Sequence, residues 1–465
     1  MAETKLAGQA RSLPTSKISR EGFATGLGVL AATLGSAVGL GNIWKFPSLT
    51  GINGGATFII VYLLSTLLVG LPVMIAEIML GRTARADAIT TLRKVSPNRL
   101  PWWLIGASGV LAAFLILAFY TEVAGWVFAY IFKAISGEIV TTDPQITAAA
   151  FTGLITNPVQ SLLWQWFVLV LVGGVILLGV TKGIEQTTRR LMPILFLLLI
   201  VLVVRSLTLP GAAEGLAFLF KPDFSRLSGE MVLAAMGLSF FKLSVGMGTM
   251  ITYGSYFRED QNIPKTTLTV MLADLTVSLL AGIAIFPAVF TFGLQPEIGP
   301  SLLFVTIPSI FASLPLGGIF VVLFFVLAAI AAMGAMLSIF EVPVAFLNER
   351  AGMSRLTATI LVTVLLGLVG STAALSNSVL ADFKLFGMTM FDLFDFTTSN
   401  ILLPVGGLFL SIFVGWVWAK GSMDKALSND GALANHKLRA AFFFVIRFVT
   451  PVLVLLILLN GLKIL

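Results

Sequence analysis

Lys242 lies inside an apolar run, Met231 to Tyr256, with Glu230 twelve residues before it and Arg258 sixteen after. At 1.5 Å per residue that is roughly 18–24 Å from either charged end, too far for a lysine side chain to reach water along a helix. A buried ammonium without a partner loses its proton or costs several kcal/mol. Asp274, in the next apolar run, is its natural partner; a separate water cavity is the alternative. Just after Lys242 comes SVGMGTM, with Gly246 and Gly248 two residues apart. The same anomaly occurs near the start of the chain. GSAVGLGNIWKFP, Gly35 to Pro47, holds Gly35, Gly39 and Gly41 where a spanning helix prefers Leu or Ala. Each glycine weakens a helix by about 1 kcal/mol, and backbone opened in hydrocarbon is tolerated only where it lines a cavity. Two interrupted helices mark a transporter with its substrate at the break. The N-terminal end of the second half-helix offers N–H groups and the positive dipole end to a carboxylate, and the C-terminal end of the first offers carbonyls to an ammonium. A zwitterionic amino acid needs both.

The elements that position these residues follow from composition. The chain has 465 residues, 57% hydrophobic and 11% charged, which is too little charge for a soluble protein of this size. Recurrent runs of about 20 apolar residues make it an all-α polytopic membrane protein. Eleven spans are expected, near 23–49, 55–81, 102–135, 161–181, 186–208, 229–257, 266–294, 316–346, 353–375, 386–418 and 441–463. The net charge of +7 is a topology signal, with no indication of a nucleic-acid partner. Arg82, Arg85, Arg93, Lys94 and Arg99 follow the second span, Lys182, Arg189 and Arg190 the fourth, and Lys420, Lys425, Lys437 and Arg439 the tenth. The positive-inside rule puts these and the basic tail 1–22 in the cytoplasm, and the C-terminus outside. The tail has no signal-peptide pattern. With no cysteine and His436 the single histidine, a thiolate metal site and a His-based triad within the membrane are excluded. If the first and sixth spans correspond, residues 23–208 and 229–418 form a 5+5 inverted repeat with discontinuous helices 1 and 6. An extracellular loop, 209–228, joins the halves, and 419–465 adds a cytoplasmic loop and an eleventh helix.

Taken in order, GSAVGLGNIWKFP, NGGATFIIVYLLSTLLVGLPVMIAEIMLGR, GVTKGIEQTTRRLMP, SFFKLSVGMGTMITYGSYFREDQNIP and EVPVAFLNER resemble the neurotransmitter:sodium symporter family. The resemblance runs from about residue 20 to 465 and is closest to the family's bacterial amino-acid transporters. It implies a bacterial inner-membrane carrier, not an enzyme, with a neutral amino acid as substrate and no cofactor. It further implies that the amides of Leu40 and Gly41 and the hydroxyl of Tyr120 hold the substrate carboxylate. Carbonyls near Ala37 and in the sixth span hold its ammonium. Ile116, Tyr120, Phe241, Ser244, Met247, Ala335 and Ile339 line the side-chain subsite, compliant at Met247; ordinary interhelical packing is the alternative for each. The family's amine transporters carry an aspartate where Gly39 stands, so the substrate here is expected to bring its own carboxylate. Tyr62 and Tyr130 are expected to be packing or interface residues.

The family's gates map to Lys45 with Asp395 on the outside and Arg20 with Glu349 on the inside, with Tyr256 nearby and Phe241 as aromatic lid. Lysine lacks arginine's bidentate fork, which weakens the outer pair. Glu77 is expected to brace the unwound sixth span, and Gly183 and Pro193 to permit unwinding of the fifth. Both sodium sites depart from the family. The first would use Ala37, Asn42, a hydroxyl in the sixth span and Asp274, but the hydroxyl position is Lys242. The second would use carbonyls near Gly35, Val38 and Ala331 with two hydroxyls, but those positions are Gly334 and Ala335. An ammonium supplies one positive charge and three donors. Lys242 is therefore expected to replace the first sodium, reaching the substrate carboxylate, the Asn42 oxygen and Asp274. Asp274 is likewise expected to replace chloride, for which the family position is Ser278. Transport is then sodium-independent, either proton-coupled or by exchange. An ordinary sodium-coupled symporter and an amino-acid sensor that no longer transports are the alternatives.

Overall fold

The computed structural model describes residues 21–97, 100–293 and 301–465; Arg20 and Arg99 lie outside them. Among the described residues nine helices are long and apolar enough to cross a bilayer. They are Ala56–Ala84, Trp103–Ile135, Pro158–Leu177, Val180–Leu207, Ile263–Thr291, Gly317–Arg350, Arg355–Ala374, Met390–Val417 and His436–Gly461. These are spans 2 to 5 and 7 to 11. Span 1 is a bent pair, Gly26–Ala37 and Gly41–Ile52, with 53° between its halves. Span 6 is divided further, into Gly229–Lys242 and Thr249–Gly254. Counting the bent pair as one gives ten candidate spans among the described residues, and the two short helices of residues 229–254 stand where the sixth span is expected. The chain is a multi-pass helical membrane protein.

Capping chemistry moves some starts away from the hydropathy limits. Span 4 begins at Pro158 because the Asn157 side chain accepts the amides of Val159 and Gln160. Proline at the first helical position sacrifices no intrahelical bond. Asn262 likewise caps span 7 one residue before Ile263. The outer connections expected only as loops contain helices, Pro144–Ile155 in 136–160 and Ala212–Phe220 in 209–228. Pro144 follows the cap Asp143, a start signal hidden by the search for long apolar runs. Span 5 opens with a wide π-helical turn, Val180–Glu185, that contains Gly183, and Pro193 lies within the α-helix that follows.

Spans 1 and 6 meet at their breaks, where the Ser244 hydroxyl reaches the Ser36 carbonyl. Around them, glycines let backbones touch. A Cβ on Gly81 of span 2 would overlap the carbonyl of Ile251 in the second half of span 6. Gly174 of span 4 has open space around it. Overpacking a core costs about 1–3 kcal/mol when side chains can yield, and more when backbone must. Gly81→Val should therefore lower the midpoint of thermal unfolding in detergent by several degrees or abolish the monodisperse species. Gly174→Val should leave both unchanged, and equal behaviour of the two would contradict this packing.

Candidate functional site

The two breaks are held open by specific bonds. In span 1 the helix stops at Ala37, Val38 is extended, and the chain re-enters a helix at Leu40 and Gly41. Asn42 folds its side chain back, so that Oδ1 accepts the amide of Gly39 at 3.1 Å. In span 6, Ser244, Gly246 and Gly248 all have left-handed backbones, with φ of 53°, 82° and 73°. For Ser244 that conformation costs about 1–2 kcal/mol. Its hydroxyl donates to the Ser36 carbonyl at 2.8 Å, tying one break to the other. Gly246 cannot carry a side chain, because a Cβ would lie 2.6 Å from the Leu403 carbonyl of span 10. Its amide donates to Glu77 Oε1 at 2.7 Å, the position of the expected brace.

Lys242 ends the first half of span 6 with its side chain fully buried. Its Nζ lies 3.0 Å from Asp274 Oδ2 in span 7 and donates to Ser278 Oγ. The same nitrogen sits over the rings of Phe46 and Tyr62, each at 4.9 Å, where ring quadrupoles favour a cation. Tyr62 also donates its hydroxyl to Asp274 Oδ2 at 3.4 Å. Tyr62 is thus part of the charged site and not mere packing. Its position in an apolar span gave no sign of that, since the contact depends on how spans 2 and 7 meet. Asn42 departs from expectation too. Its amide nitrogen donates to the carboxylate and carbonyl of Asp274, at 2.6 and 3.2 Å, and to Ser278 Oγ at 3.0 Å. The oxygen expected to meet Lys242 is taken by Gly39 instead. The Lys242 stem packs beside Gly41, 3.6 Å from where a Cβ on Gly41 would stand.

A small cavity lies against both breaks. Ala37, Gly41, Ile116, Tyr120, Phe241, Ser244, Met247, Ala335 and Ile339 line it, together with Ser36, Gly39, Asn42 and Lys242. Leu40 does not line it. Its amide donates to the Tyr120 hydroxyl at 3.2 Å, and the residue borders a second, larger space. Phe241, Tyr120 and Gly41 border both spaces, so the Phe241 ring stands between them. A side chain at Gly39 would begin 3.1 Å from Ala335 Cβ and 3.4 Å from the Tyr120 oxygen, leaving little room for an aspartate.

Where the resemblance leads one to expect a second ion position, spans 1 and 8 approach closely. A Cβ on Gly334 would lie 2.7 Å from the Gly35 carbonyl. Val38, Ala331 and Ala335 are buried beside it.

Lys45 and Asp395, expected as the outer gate, are engaged by other partners. Lys45 and Asp395 both line the larger space, yet Lys45 Nζ sits 4.3 Å over the Phe241 ring and Asp395 accepts from Ser399 at 2.9 Å. Glu349 accepts the Asp87 amide at 2.8 Å, and its expected partner Arg20 lies outside the described residues. Tyr256 donates to Glu341 Oε1 at 2.7 Å. Glu341 in turn receives two bonds from Arg355, at 2.7 and 3.1 Å. Arg355 lies 3.8 Å from Glu21. Glu341 is the first residue of the EVPVAFLNER motif, and its charge at a buried helix position was the signal for it.

Removing one member of a buried ion pair costs about 3–5 kcal/mol, whereas replacing both with apolar groups is often neutral. Asp274→Leu alone should therefore destabilise the protein strongly in a thermal melt. Lys242→Met with Asp274→Leu should recover most of the loss. Additive losses would mean that the two charges do not act as a pair.

Comparison with known proteins places this geometry. The profile of the "Sodium:neurotransmitter symporter family" matches residues 20–148 and 154–465. A Bacillus subtilis protein named uncharacterized sodium-dependent transporter YhdH is 41% identical over 438 residues, 94% of this chain and 97% of its own length. An uncharacterized sodium-dependent transporter of Haemophilus influenzae is 34% identical over 460 residues, 97% of this chain and 100% of its own. The crystal structure of MhsT in complex with L-phenylalanine superposes with a TM-score of 0.87 at 42% identity, covering 95% of this chain and 100% of that one. The chain belongs to the sodium:neurotransmitter symporter family, whose members are membrane transporters and not enzymes.

Proposed function

We propose that the protein carries neutral, hydrophobic L-amino acids across the bacterial inner membrane by alternating access, with Lys242 in place of the first sodium ion. The observation that carries this reading is the ion pair of Lys242 with Asp274, 3.0 Å apart and fully buried beside Asn42. A cation-binding position filled by a tethered ammonium has its charge already supplied. The pair leaves the local charge near zero, while two aromatic faces and Ser278 satisfy the rest of the ammonium. At the second position, the close approach of Gly334 to Gly35 and the loss of both hydroxyls fit poorly with sodium, a hard cation that needs several oxygens.

Within this reading the substrate carboxylate lies against Gly41 and the hydroxyl of Tyr120, and the ammonium meets carbonyls of the two breaks near Ala37. The Leu40 amide, already bonded to Tyr120, acts through that hydroxyl. The apolar walls of Ile116, Met247, Ala335 and Ile339 suit an uncharged side chain, and MhsT, of similar structure, is known with L-phenylalanine bound. The small space left at Gly39 supports a substrate with its own carboxylate. Halves 23–208 and 229–418 would move against each other. Phe241 would close the outer side, and Glu341, Arg355 and Tyr256 would join Glu349 on the inner side. Relatives in B. subtilis and H. influenzae bear the name sodium-dependent transporter, so sodium dependence is the result that opposes the reading.

Uptake of labelled leucine or phenylalanine into proteoliposomes should proceed equally in sodium and choline media. A strict sodium requirement would contradict the proposal. Counterflow without sodium should occur, whereas a sensor would bind label and not exchange it. Ala335→Phe should exclude Trp and Phe before Ala. An unchanged rank order of substrates would remove Ala335 from the cavity wall.

A further inference from the structure

Six carboxylate side chains are buried among the described residues: Glu77, Asp87, Glu122, Glu185, Asp274 and Glu341. Five are held by partners. Gly246 donates to Glu77, Ile89 and Thr90 to Asp87, and Ala24 and Thr25 to Glu185. Lys242 pairs with Asp274, and Arg355 with Glu341. Glu122 differs: neither of its oxygens makes a hydrogen bond of full geometry, and the indole N–H of Trp126 approaches it only loosely, although the residue is 1% exposed. It lies in span 3 two residues after Tyr120. At about 100° per residue, it points to the opposite side of the helix from the substrate cavity.

The groups around Glu122 are equally unsatisfied. Trp126, one turn on, has an indole N–H without a hydrogen bond of full geometry, and both amide atoms of Gln165 in span 4 lack partners. Ala118, Glu122 and Gly125 share one face of span 3, and Gln165 lies across from that face. A Cβ on Gly125 would be 3.2 Å from the backbone nitrogen of Gln165, and one on Gly370 of span 9 would overlap the side-chain Nε2 of Gln165 and lie 2.7 Å from the Ala118 carbonyl. Span 4 contains no charged residue. The charged groups of the other neighbours are engaged elsewhere. Arg355 on span 9 bonds Glu341 on span 8, Asp392 and Asp395 at the start of span 10 bond Thr389 and Ser399, and Lys133 on span 3 pairs with Glu138.

We propose that Glu122, with Gln165 and Trp126, forms a proton-binding site between spans 3, 4 and 9 that couples proton movement to transport. The chemistry provides for both states. Protonated, Glu122 donates its O–H to Gln165 Oε1. After release to water, the carboxylate accepts from Gln165 Nε2 and Trp126 Nε1, a change that needs only a half-turn of the carboxamide. One proton is taken from water on one side and given to water on the other, with no other reactant. A carboxylate left without such donors in the membrane interior would be strongly disfavoured. The bonds that hold Asp274 and Glu341 to cations leave them less suited to this exchange. The proposal rests on the sodium-independent reading above, since it supplies the driving ion that reading lacks.

The test uses proteoliposomes in sodium-free buffer with an inward gradient of one pH unit. One-to-one coupling should drive about tenfold accumulation of substrate in the wild type. Glu122→Gln should bring the accumulation ratio down to about one while counterflow and substrate binding persist, and Glu122→Asp should restore part of the gradient effect. Accumulation by Glu122→Gln equal to wild type would overturn the proposal. So would a wild type that binds substrate without sodium but ignores the gradient, an outcome that leaves the role of Lys242 intact. If Glu122→Gln does not fold, infrared difference spectra of the wild type decide. A carboxylic-acid carbonyl band that changes on substrate addition, and shifts in Glu122→Asp, is expected, and absence of any such band would overturn the proposal.

Discussion

A charge in the interior of a membrane protein must be matched, and the structure around Lys242 depends on that requirement. Its ammonium is reached by Asp274 from span 7, by Ser278 one turn further on, and by the rings of Phe46 and Tyr62 from spans 1 and 2. Four helices are fixed relative to one another by a single cation. Asn42 extends the constraint to the break of span 1, because its amide nitrogen serves Asp274 and its oxygen holds Gly39. The position of the broken backbone and the neutralisation of the lysine are therefore one problem with one solution.

The two breaks support each other in the same way. Opened backbone inside a bilayer is stable only if its polar groups find partners within the protein. Ser244 reaches Ser36, Glu77 reaches Gly246, and Tyr120 accepts from Leu40. Each of these residues bridges separate spans, so the cavity is built by long-range bonds on top of a helical framework. Movement of any of these spans would break or carry these bonds together, which gives a physical route from occupancy of the cavity to rearrangement of the helices.

Much of this was legible in the sequence. Apolar run length defined the spans because hydrocarbon thickness sets it directly, and clustered glycines marked the breaks because helices avoid them. The charge of Lys242 pointed to Asp274 because burial leaves few alternatives. Short outer helices such as Pro144–Ile155 were less visible, since caps announce them and hydropathy does not. Tyr62 was missed, and the Asn42 amide was assigned the opposite direction, because both depend on the angle at which spans meet. The other partners of the outer gate residues were hidden for a related reason. Lys45 has an aromatic face, Phe241, within 4.3 Å, and sequence spacing does not rank an aromatic face against a carboxylate.

The central claim is that a tethered ammonium performs the work of a bound sodium ion. Its most direct test is the affinity of a hydrophobic amino acid for purified wild type and Lys242→Thr as sodium is titrated from none to high concentration against choline. The account predicts a flat curve for wild type. Lys242→Thr should bind weakly without sodium and recover in part as sodium rises. A wild-type affinity that climbs steeply with sodium, or a Lys242→Thr protein that binds normally in its absence, would contradict it.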